Sequence, residues 1–340
     1  MKKSTKNVLK VSGAIIAIVL VLSYWFFFAS INSTKSVVRV YIDNDDTADS
    51  VYSKISETAH SIPMCGLRIC GALTGYSSRV HAGSYLIDKH THSLGLMLKL
   101  RGGRQDPIKL VIPVTHTMRH LAARLSTMLA ADSTTMADAF YNKKLLDKLE
   151  TDTFTVACLF IPNTYEVYWD ITPENLLKRM KKEHDAFWTE EKTEKARQAG
   201  LTADQAYTLA SIVEQESANE QERPMIAGMY LNRLHDGMKL QADPTVKFAL
   251  QNFSLRRIMH NHLTVDSPYN TYQHTGLPVG PICVPSLNAI NSVLNYSRHD
   301  YLYMCAKEDF SGTHNFAKTY TEHLQNAKKY TEALNNRGIK

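Results

Sequence analysis

The longest apolar run in the sequence lies close to its amino terminus, over residues 11–29. About 20 consecutive apolar residues are enough to cross a bilayer as a helix, so this run predicts a transmembrane helix. Four lysines precede it: Lys2, Lys3, Lys6 and Lys10. By the positive-inside rule, residues 1–10 are expected to be a cytoplasmic tail, with the bulk of the chain outside the inner membrane, in the periplasm or at the cell exterior.

A cleaved signal peptide is the alternative interpretation of the same run. Cleavage needs small residues in a small-x-small arrangement. Here Phe27 and Phe28 crowd the short stretch Ala29-Ser30, which is the only place where such a site could lie. We therefore favour an uncleaved anchor, followed by a polar linker over residues 30–37.

Alternating and β-branched residues follow the linker. The run VVRVYI at 37–42 alternates between apolar and other positions, which predicts a strand. The runs HAGSYLI, SLGLMLKLRGG and IKLVIP then predict a strand, a short helix and another strand. Residues 38–113 are therefore expected to form a small α+β module.

Helical periodicity dominates the rest of the chain. Met118, Leu121 and Leu125 have the spacing of one helix face, within a helix expected over residues 115–129. The run that begins at residue 153 is strand-like up to Pro162. Further helices are expected over 173–188, 203–218 and 223–236, near 286–297 and from about Tyr320. The predicted fold class is α+β, with a connecting region over 114–170 and a mainly helical domain over 171–335.

Composition and charge add only weak constraints. The chain has 44% hydrophobic and 21% charged residues and a formal net charge of +6, which fits an ordinary globular protein. The excess charge would suit anionic lipid or cell-wall polymer, but a solvated surface explains it equally well. No basic stripe or RNA-binding motif is present in the sequence, so a nucleic-acid partner is not expected.

The five cysteines do not have the spacing of a metal site. None forms a CxxC pair or lies near histidines at zinc-finger intervals, so we expect no bound metal. Cys65 and Cys70 are close enough in sequence to pair in an oxidising compartment. Buried reduced thiols are the alternative.

Candidate chemistry is concentrated in one helix. Thr202, with Gln205 three residues later, is a capping-box signature for a helix start. In that helix Glu216 lies about 20° from Leu209, within the apolar stripe, whereas Glu214 lies about 140° away from Leu209. A carboxyl buried against hydrocarbon has a raised pKa, as a general acid near neutral pH requires. The alternative is that the helix ends here and Glu216 simply reaches solvent.

Longer motifs carry a family resemblance. ASIVEQES, ERPMIAGMYLNRLHDGMKLQADPTV and SPYNTYQHTGLPVGPI, in this order, resemble the endolytic murein transglycosylases of the MltG (YceG-like) family, and HAGSYLI, FIPNTYEVYW and GTHNF extend the likeness over nearly the whole chain. The resemblance implies a bitopic inner-membrane protein with a LysM-like module at 38–113 and a catalytic domain at 171–335. It also implies that Glu216 is the catalytic residue.

The same resemblance implies a set of substrate-binding residues around Glu216. Departures from the family pattern occur at Asn163, Val279, Val284 and Ser286, which leaves the loop details and any role of position 163 open. Buried amides and aromatic rings bind sugars through hydrogen bonds and stacking. The implied set is Ser217, Asn232, Gln241, Asp243, Tyr269, Asn270, Tyr272 and His314.

The implied reaction is a lyase reaction on peptidoglycan glycan strands, without metal or cofactor. Glu216 would act alone as acid and then base, leaving a 1,6-anhydroMurNAc end, in the context of the cell-wall elongation proteins. One rival is a two-carboxylate hydrolase, with Asp243 or Glu222 as the partner of Glu216. The other is a non-enzymatic wall-binding scaffold.

Overall fold

The structure of the chain, a computed structural model, describes residues 2–28, 30–31, 36–59, 64–255 and 257–338. The described part is a helix-rich α+β fold with three two-stranded sheets, which confirms the predicted class. Met1 of the expected tail, Ala29 at the end of the expected transmembrane run and residues 32–35 of the expected linker lie outside the described residues.

The chain divides into two compact units. The first comprises Met1–Leu110 with two later insertions, Met128–Ala130 and Tyr165–Ile171. The second comprises Val111–Thr127, Ala131–Thr164 and Thr172–Lys340.

The elements up to residue 111 include both helices and strands. In chain order they are α1 (Lys2–Phe28), β1 (Val38–Ile42), α2 (Ala48–Ala59), α3 (Met64–Thr74), β2 (Gly83–Ile87), α4 (Ser93–Arg101) and β3 (Ile108–Val111). Among the described helices, α1 is the one that is long and apolar enough to cross a membrane, over Val8–Phe28.

An antiparallel ladder holds the first unit together. β1 pairs with β2 in the register that runs from Val38 opposite Ile87 to Ile42 opposite Gly83. The inward side chains of this ladder pack against α2, α3 and α4. Burial of these side chains stabilises the unit, at about 25 cal/mol for each Å² of apolar surface removed from water.

The elements from residue 118 onward are mainly helices. They are α5 (Met118–Ser126), α6 (Ser133–Phe140), α7 (Lys143–Lys148), β4 (Thr164–Val167), α8 (Pro173–Phe187), α9 (Glu190–Gln198), α10 (Ala203–Glu216), α11 (Arg223–His235), α12 (Asp243–Ala249), α13 (Leu287–Leu294), β5 (Tyr303–Ala306), β6 (His314–Ala317) and α14 (Tyr320–Asn336). β3 pairs with β4, and β5 pairs with β6 in an antiparallel hairpin.

Helix α10 forms the centre of the second unit. Its residues 206–213 are all buried, because α9, α11, α12 and α13 pack around it. The sequence predicted a single apolar stripe, so the helix is more deeply enclosed than its periodicity indicates. The hydroxyl of Tyr207 donates to the carbonyl of Phe160 at 2.7 Å, which satisfies the polar group of this buried ring.

The prediction of a strand between residue 153 and Pro162 was wrong. The side chain of Asp152 accepts hydrogen bonds from the backbone N–H groups of Phe154 and Thr155, both at 2.8 Å, and closes a turn there. A 3-10 helix follows at Val156–Leu159, and the strand begins only after the proline. The predicted helices over 115–129, 173–188, 203–218, 223–236 and 286–297 and from Tyr320 are confirmed, with shorter ends.

Candidate active site

The amino-terminal end of α10 is fixed by its cap. The hydroxyl of Thr202 accepts from the backbone N–H of Gln205 at 3.2 Å, and the side chain of Gln205 accepts from the N–H of Thr202 at 2.9 Å. This confirms the predicted capping box. The helix ends at Glu216, and Ser217 takes an extended conformation, so Glu216 is held at a defined helix end.

Glu216 is partly enclosed and has one strong hydrogen bond. The hydroxyl of Tyr230 donates to Glu216 Oε1 at 2.6 Å. Loss of hydration raises the pKa of the Glu216 carboxyl to about 7, and the nearby charge of Asp243 acts in the same direction. The Tyr230 hydrogen bond and the charges of His314 and Lys247 oppose the rise. The carboxyl can therefore exchange a proton near neutral pH.

A cavity of about 230 Å³ surrounds this carboxyl. Its walls come from the end of α10, from α11, from the loop before α12 and from the β5–β6 hairpin. They are formed by Glu216, Met229, Tyr230, Arg233, Leu240, Gln241, Asp243, Tyr272, Met304, Cys305, Ala306 and His314. Four of the residues predicted to bind substrate, Gln241, Asp243, Tyr272 and His314, thus lie around Glu216.

Asp243 and Gln241 line one side of the cavity. Asp243 Oδ1 accepts from the hydroxyl of Tyr272 at 2.6 Å, and burial raises the pKa of that phenol well above its usual value. Gln241 has a positive φ of 50°, a conformation that costs a non-glycine residue free energy. Its backbone N–H donates to the carbonyl of Thr271 at 3.1 Å, which holds this conformation in place.

His314 lies on another side of the cavity and is oriented by Glu222. The carboxylate of Glu222 accepts from the backbone N–H of His314 at 2.6 Å and lies 2.8 Å from its Nδ1. Since a carboxylate accepts, Nδ1 carries the proton in this pair. Ser217 Oγ also donates to Glu222, at 3.2 Å. The predicted residue Ser217 therefore helps to hold the carboxylate that orients His314.

Arg233 and the predicted residue Asn232 tie loops to α11. The guanidinium of Arg233 donates to the carbonyls of Leu302 at 2.6 Å and of Leu240 at 2.8 Å, so it joins the hairpin to the loop that carries Gln241. The Asn232 amide donates to the carbonyls of His299 and Tyr301. Asn232 does not line the cavity, and its amide serves the backbone.

Asn270 and Tyr269 also lie outside the cavity wall. Asn270 is fully buried and donates to the carbonyls of Leu263 and Val265, and its side chain accepts from the backbone N–H of Tyr272. It therefore shapes the loop that presents Tyr272. Tyr269 lines a different cavity instead, described below.

Glu214 has an environment unlike that of Glu216. Its carboxylate pairs with Arg223 at 2.9 Å, and the two side chains are only 11% and 5% exposed. It also accepts from the backbone N–H of Ser286, the residue that caps α13, at 3.0 Å. Glu214 thus joins α10 to α11 and α13, and both of its carboxylate oxygens are used in these contacts.

Gly228 brings α11 into direct backbone contact with the segment before the hairpin. A Cβ at this position would lie 2.2 Å from the carbonyl oxygen of Ser297 and 2.8 Å from the ring of His299. Only a residue without a side chain permits this approach.

Sequence reasoning missed Tyr230 and Arg233. Both lie on α11 within an apolar pattern, which by itself indicates only a core or a surface position. The available signal was that a buried tyrosine hydroxyl and a buried guanidinium each need partners. Among the described residues there is no group of three or more His, Cys, Asp or Glu side chains that could hold a metal, and the five cysteines are free thiols.

Comparisons with known proteins cover most of the chain. The model of the YceG-like family matches residues 40–329. An endolytic murein transglycosylase of Bacillus subtilis is 33% identical over 202 residues, which are 59% of this chain and 53% of that protein. One of Streptococcus pneumoniae (serotype 2, strain D39) is 26% identical over 321 residues, 83% of this chain and 57% of that protein. The chain spans just over half the length of these curated relatives.

A solved structure has a similar fold. The crystal structure of a YceG-like protein from Listeria monocytogenes matches with a TM-score of 0.56 at 24% identity, and the match covers 86% of this chain and 99% of that one.

Proposed function

The chain belongs to the YceG-like family, and from this premise we propose that it is an endolytic lytic transglycosylase of peptidoglycan, acting on nascent glycan strands beside the cell-wall synthesis proteins. The observation that carries the proposal is the carboxyl of Glu216, whose pKa is raised to about 7 inside a polar cavity. A general acid works best when its pKa lies near the operating pH.

In the first step, protonated Glu216 gives its proton to the glycosidic oxygen between MurNAc and GlcNAc. The Tyr230 hydroxyl donates to Oε1, which leaves Oε2 to carry the transferable proton. The bond from C1 of MurNAc to that oxygen breaks, and the GlcNAc of the next disaccharide leaves with a free hydroxyl. Positive charge develops on the MurNAc ring.

In the second step, the Glu216 carboxylate takes the proton from the 6-hydroxyl of MurNAc. The 6-oxygen closes onto C1 and gives the 1,6-anhydro ring, so no water is consumed and Glu216 returns to its protonated form. One such acid/base contributes roughly 10²–10⁴-fold to the rate. Orientation of the bound strand in the cavity supplies the remaining acceleration.

The residues predicted to bind substrate take two kinds of role in this proposal. Gln241, Asp243, Tyr272 and His314 would contact the sugars next to the cleaved bond. Because Glu222 engages Nδ1 of His314, the other ring nitrogen, Nε2, would be left to form a hydrogen bond with a sugar hydroxyl. The others support the loops or extend the site: Ser217, Asn232, Tyr269 and Asn270.

The rest of the chain would tether the catalytic domain to the membrane. We propose that α1 anchors the protein in the inner membrane with its amino terminus in the cytoplasm, that residues 38–113 form a LysM-like module, and that residues 171–335 form the catalytic domain. The apolar segment Val8–Phe28 supports the anchor. Protease added to spheroplasts should then digest the bulk of the chain.

Product analysis tests the reaction. Purified chain is incubated with sacculi and the soluble products are analysed by mass spectrometry. We expect 1,6-anhydroMurNAc ends in wild-type digests and at least about 10²-fold slower release of them with Glu216→Gln. Reducing MurNAc ends with the mass of an added water would contradict the proposal.

Asp243 favours one second candidate, a two-carboxylate hydrolase. Its carboxylate lines the same cavity as Glu216, whereas the other rival partner, Glu222, is turned toward His314 and Ser217. A hydrolase would use Asp243 to activate water or attack the sugar, and it would give reducing ends. Digestion in ¹⁸O-labelled water separates the two, since only hydrolysis incorporates the label.

A further inference from the structure

A second cavity in the catalytic unit, of about 350 Å³, has an aromatic wall. Tyr141, Phe154, Phe248 and Tyr269 contribute rings to it, and the rings of Phe248 and Tyr269 lie 4.6 Å apart. Thr117, Thr153 and Gln251 add polar groups at its edges. Apolar and aromatic walls with a few polar groups are typical of small-molecule and sugar sites.

A smaller depression lies next to this cavity. His116 lines both the depression and the aromatic cavity. On the other side, the depression is lined by Gln215 and Pro244, the chain neighbours of Glu216 and Asp243. The aromatic cavity and the depression therefore share a wall residue, and the depression and the active-site cavity are lined by consecutive residues of the chain.

Helix α12 runs beside all three spaces. Asp243, at its first position, lines the active-site cavity, Lys247 lines the depression, and Phe248 lines the aromatic cavity. Seven helical residues span about 10 Å. Asp243 and Phe248 are five residues apart, about 7.5 Å along the helix axis, so a strand bound at the Glu216 cavity could reach the aromatic cavity with a neighbouring sugar.

Lys247 supplies a positive charge to the depression. It has no ion pair among the residues that the structure describes, and its charge is felt at Glu216. Lys247 is half-buried as a residue, and an ammonium group in this depression is suited to bind a carboxylate. Glycan strands carry such groups, either on the lactyl ether of a sugar without a peptide or on the peptide stem itself.

We propose that the Lys247 depression and the aromatic cavity form a distal subsite of the glycan strand, in which a sugar ring stacks on the aromatic wall and Lys247 binds a carboxylate of the substrate. The proposal rests on the function proposed above and extends it to substrate length. Binding energy from a distal sugar would favour long strands over short ones, because a short strand cannot reach the aromatic wall.

The test compares strand lengths in the full chain. Phe154→Ala and Tyr141→Ala remove rings that are 46% and 42% exposed, so the core is spared. We expect each to lower the ratio of kcat/KM on strands of about twelve sugars to that on strands of about four sugars by roughly 3- to 10-fold, as stacking energies imply. Tyr168→Ala, an exposed tyrosine of the other unit, is the control and should leave the ratio unchanged.

Lys247→Gln tests whether Lys247 binds a carboxylate of the substrate, and Lys182→Gln, at an exposed lysine, is the matched control. We expect roughly 5-fold weaker kcat/KM at low salt and a smaller effect at high salt, as for one partly exposed ion pair. If Lys247→Gln lowers kcat/KM on strands without peptides, Lys247 binds the lactyl carboxylate. If it lowers kcat/KM only on peptide-bearing strands, Lys247 binds a carboxylate of the peptide stem. Unchanged cleavage of both substrates would remove Lys247 from the subsite.

A binding measurement separates this proposal from the reaction itself. Affinities of long strands are compared between Glu216→Gln and the double variant Glu216→Gln with Phe154→Ala. Weaker binding by the double variant supports the subsite even if the wild type released no anhydro ends. Equal affinities, or equal loss of kcat/KM on short and long strands, would overturn the subsite and leave the proposed reaction standing.

Discussion

Helix α10 ends with two glutamates, two residues apart, whose surroundings differ completely. Glu214 is matched by the guanidinium of Arg223 and by groups of Ser286, so its negative charge is neutralised inside the protein. Glu216 has a tyrosine hydroxyl and a cavity, and no cationic side chain pairs with it among the described ion pairs. The same residue type thus serves as a fixed structural link at one position and, in the proposed function, as a proton carrier at the other.

The difference shows that partners rather than the helix determine the role of a carboxyl. A buried ion pair holds its acid in the charged form and ties elements together. A desolvated acid without a countercharge stays protonated to higher pH. Variants that exchange or remove these partners should therefore separate stability from catalysis.

The largest expected effect is on cleavage. Glu216→Gln keeps the shape of the side chain and an acceptor for Tyr230 but has no transferable proton, so the rate should fall by at least about 10²-fold. Release of anhydro ends from uncrosslinked glycan measures it, with circular dichroism as the folding check. Glu214→Gln, assayed at a temperature at which it is folded, should lose far less. Near-wild-type activity of Glu216→Gln would refute the assignment of roles.

The next effect is on stability. Glu214→Gln leaves the buried guanidinium of Arg223 without its countercharge, which should cost about 3 kcal/mol of the free energy of unfolding. Urea unfolding of the detergent-solubilised chain measures the loss. The double variant Glu214→Gln with Arg223→Met should recover part of it, since no buried charge then remains. A double variant less stable than the sum of its single changes would contradict the pairing.

Glu216 should also lower stability in a pH-dependent way. Its pKa is about 7 in the folded chain and near 4.5 ordinarily, so the folded state binds more protons between these values and the free energy of unfolding falls as pH rises. Glu216→Gln removes this penalty. It should be about 2 kcal/mol more stable than wild type at pH 8, after allowance for solvent in the cavity, with little difference near pH 4. A difference independent of pH would contradict the raised pKa.

The smallest effect is expected at Tyr230. Tyr230→Phe removes the hydrogen bond that stabilises the Glu216 carboxylate, so the pKa of Glu216 should rise. The alkaline limb of the pH–rate profile should move to higher pH, and kcat near neutral pH should fall by about 10-fold or less. An unmoved limb would show that Tyr230 does not act on the proton of Glu216.

Much of this comparison was accessible from the sequence, because it depends on one helix. The cap at Thr202 fixes the start of α10, and the period of 3.6 residues turns Glu214 and Glu216 in different directions. Family motifs led to the same carboxyl, and the family itself is confirmed. Among the polar residues implied by the family resemblance, Gln241, Asp243, Tyr272 and His314 line the cavity around it, and their role in substrate binding stays a prediction.

What the sequence could not provide depends on packing between elements. Tyr230 reaches Glu216 only because of the way α11 packs on α10, and periodicity contains no crossing angle. The amides of Asn232 and Asn270 have the chemistry of sugar ligands, but the carbonyls that they satisfy are set by the paths of loops. Tyr269 joins an aromatic cluster because Phe154 and Phe248, distant in sequence, fold beside it.

The backbone contact at Gly228 has a consequence for anyone who wishes to transplant or redesign this site. Copying only Glu216, Tyr230 and Arg233 onto another pair of helices would carry over the reactive groups. It would lose the close approach between α11 and the segment before the hairpin, because any side chain at position 228 pushes α11 away from the carbonyl of Ser297. A transplanted site must therefore keep a glycine at the position of Gly228. A design protocol that scores only the groups in contact with a sugar would leave this glycine free to vary.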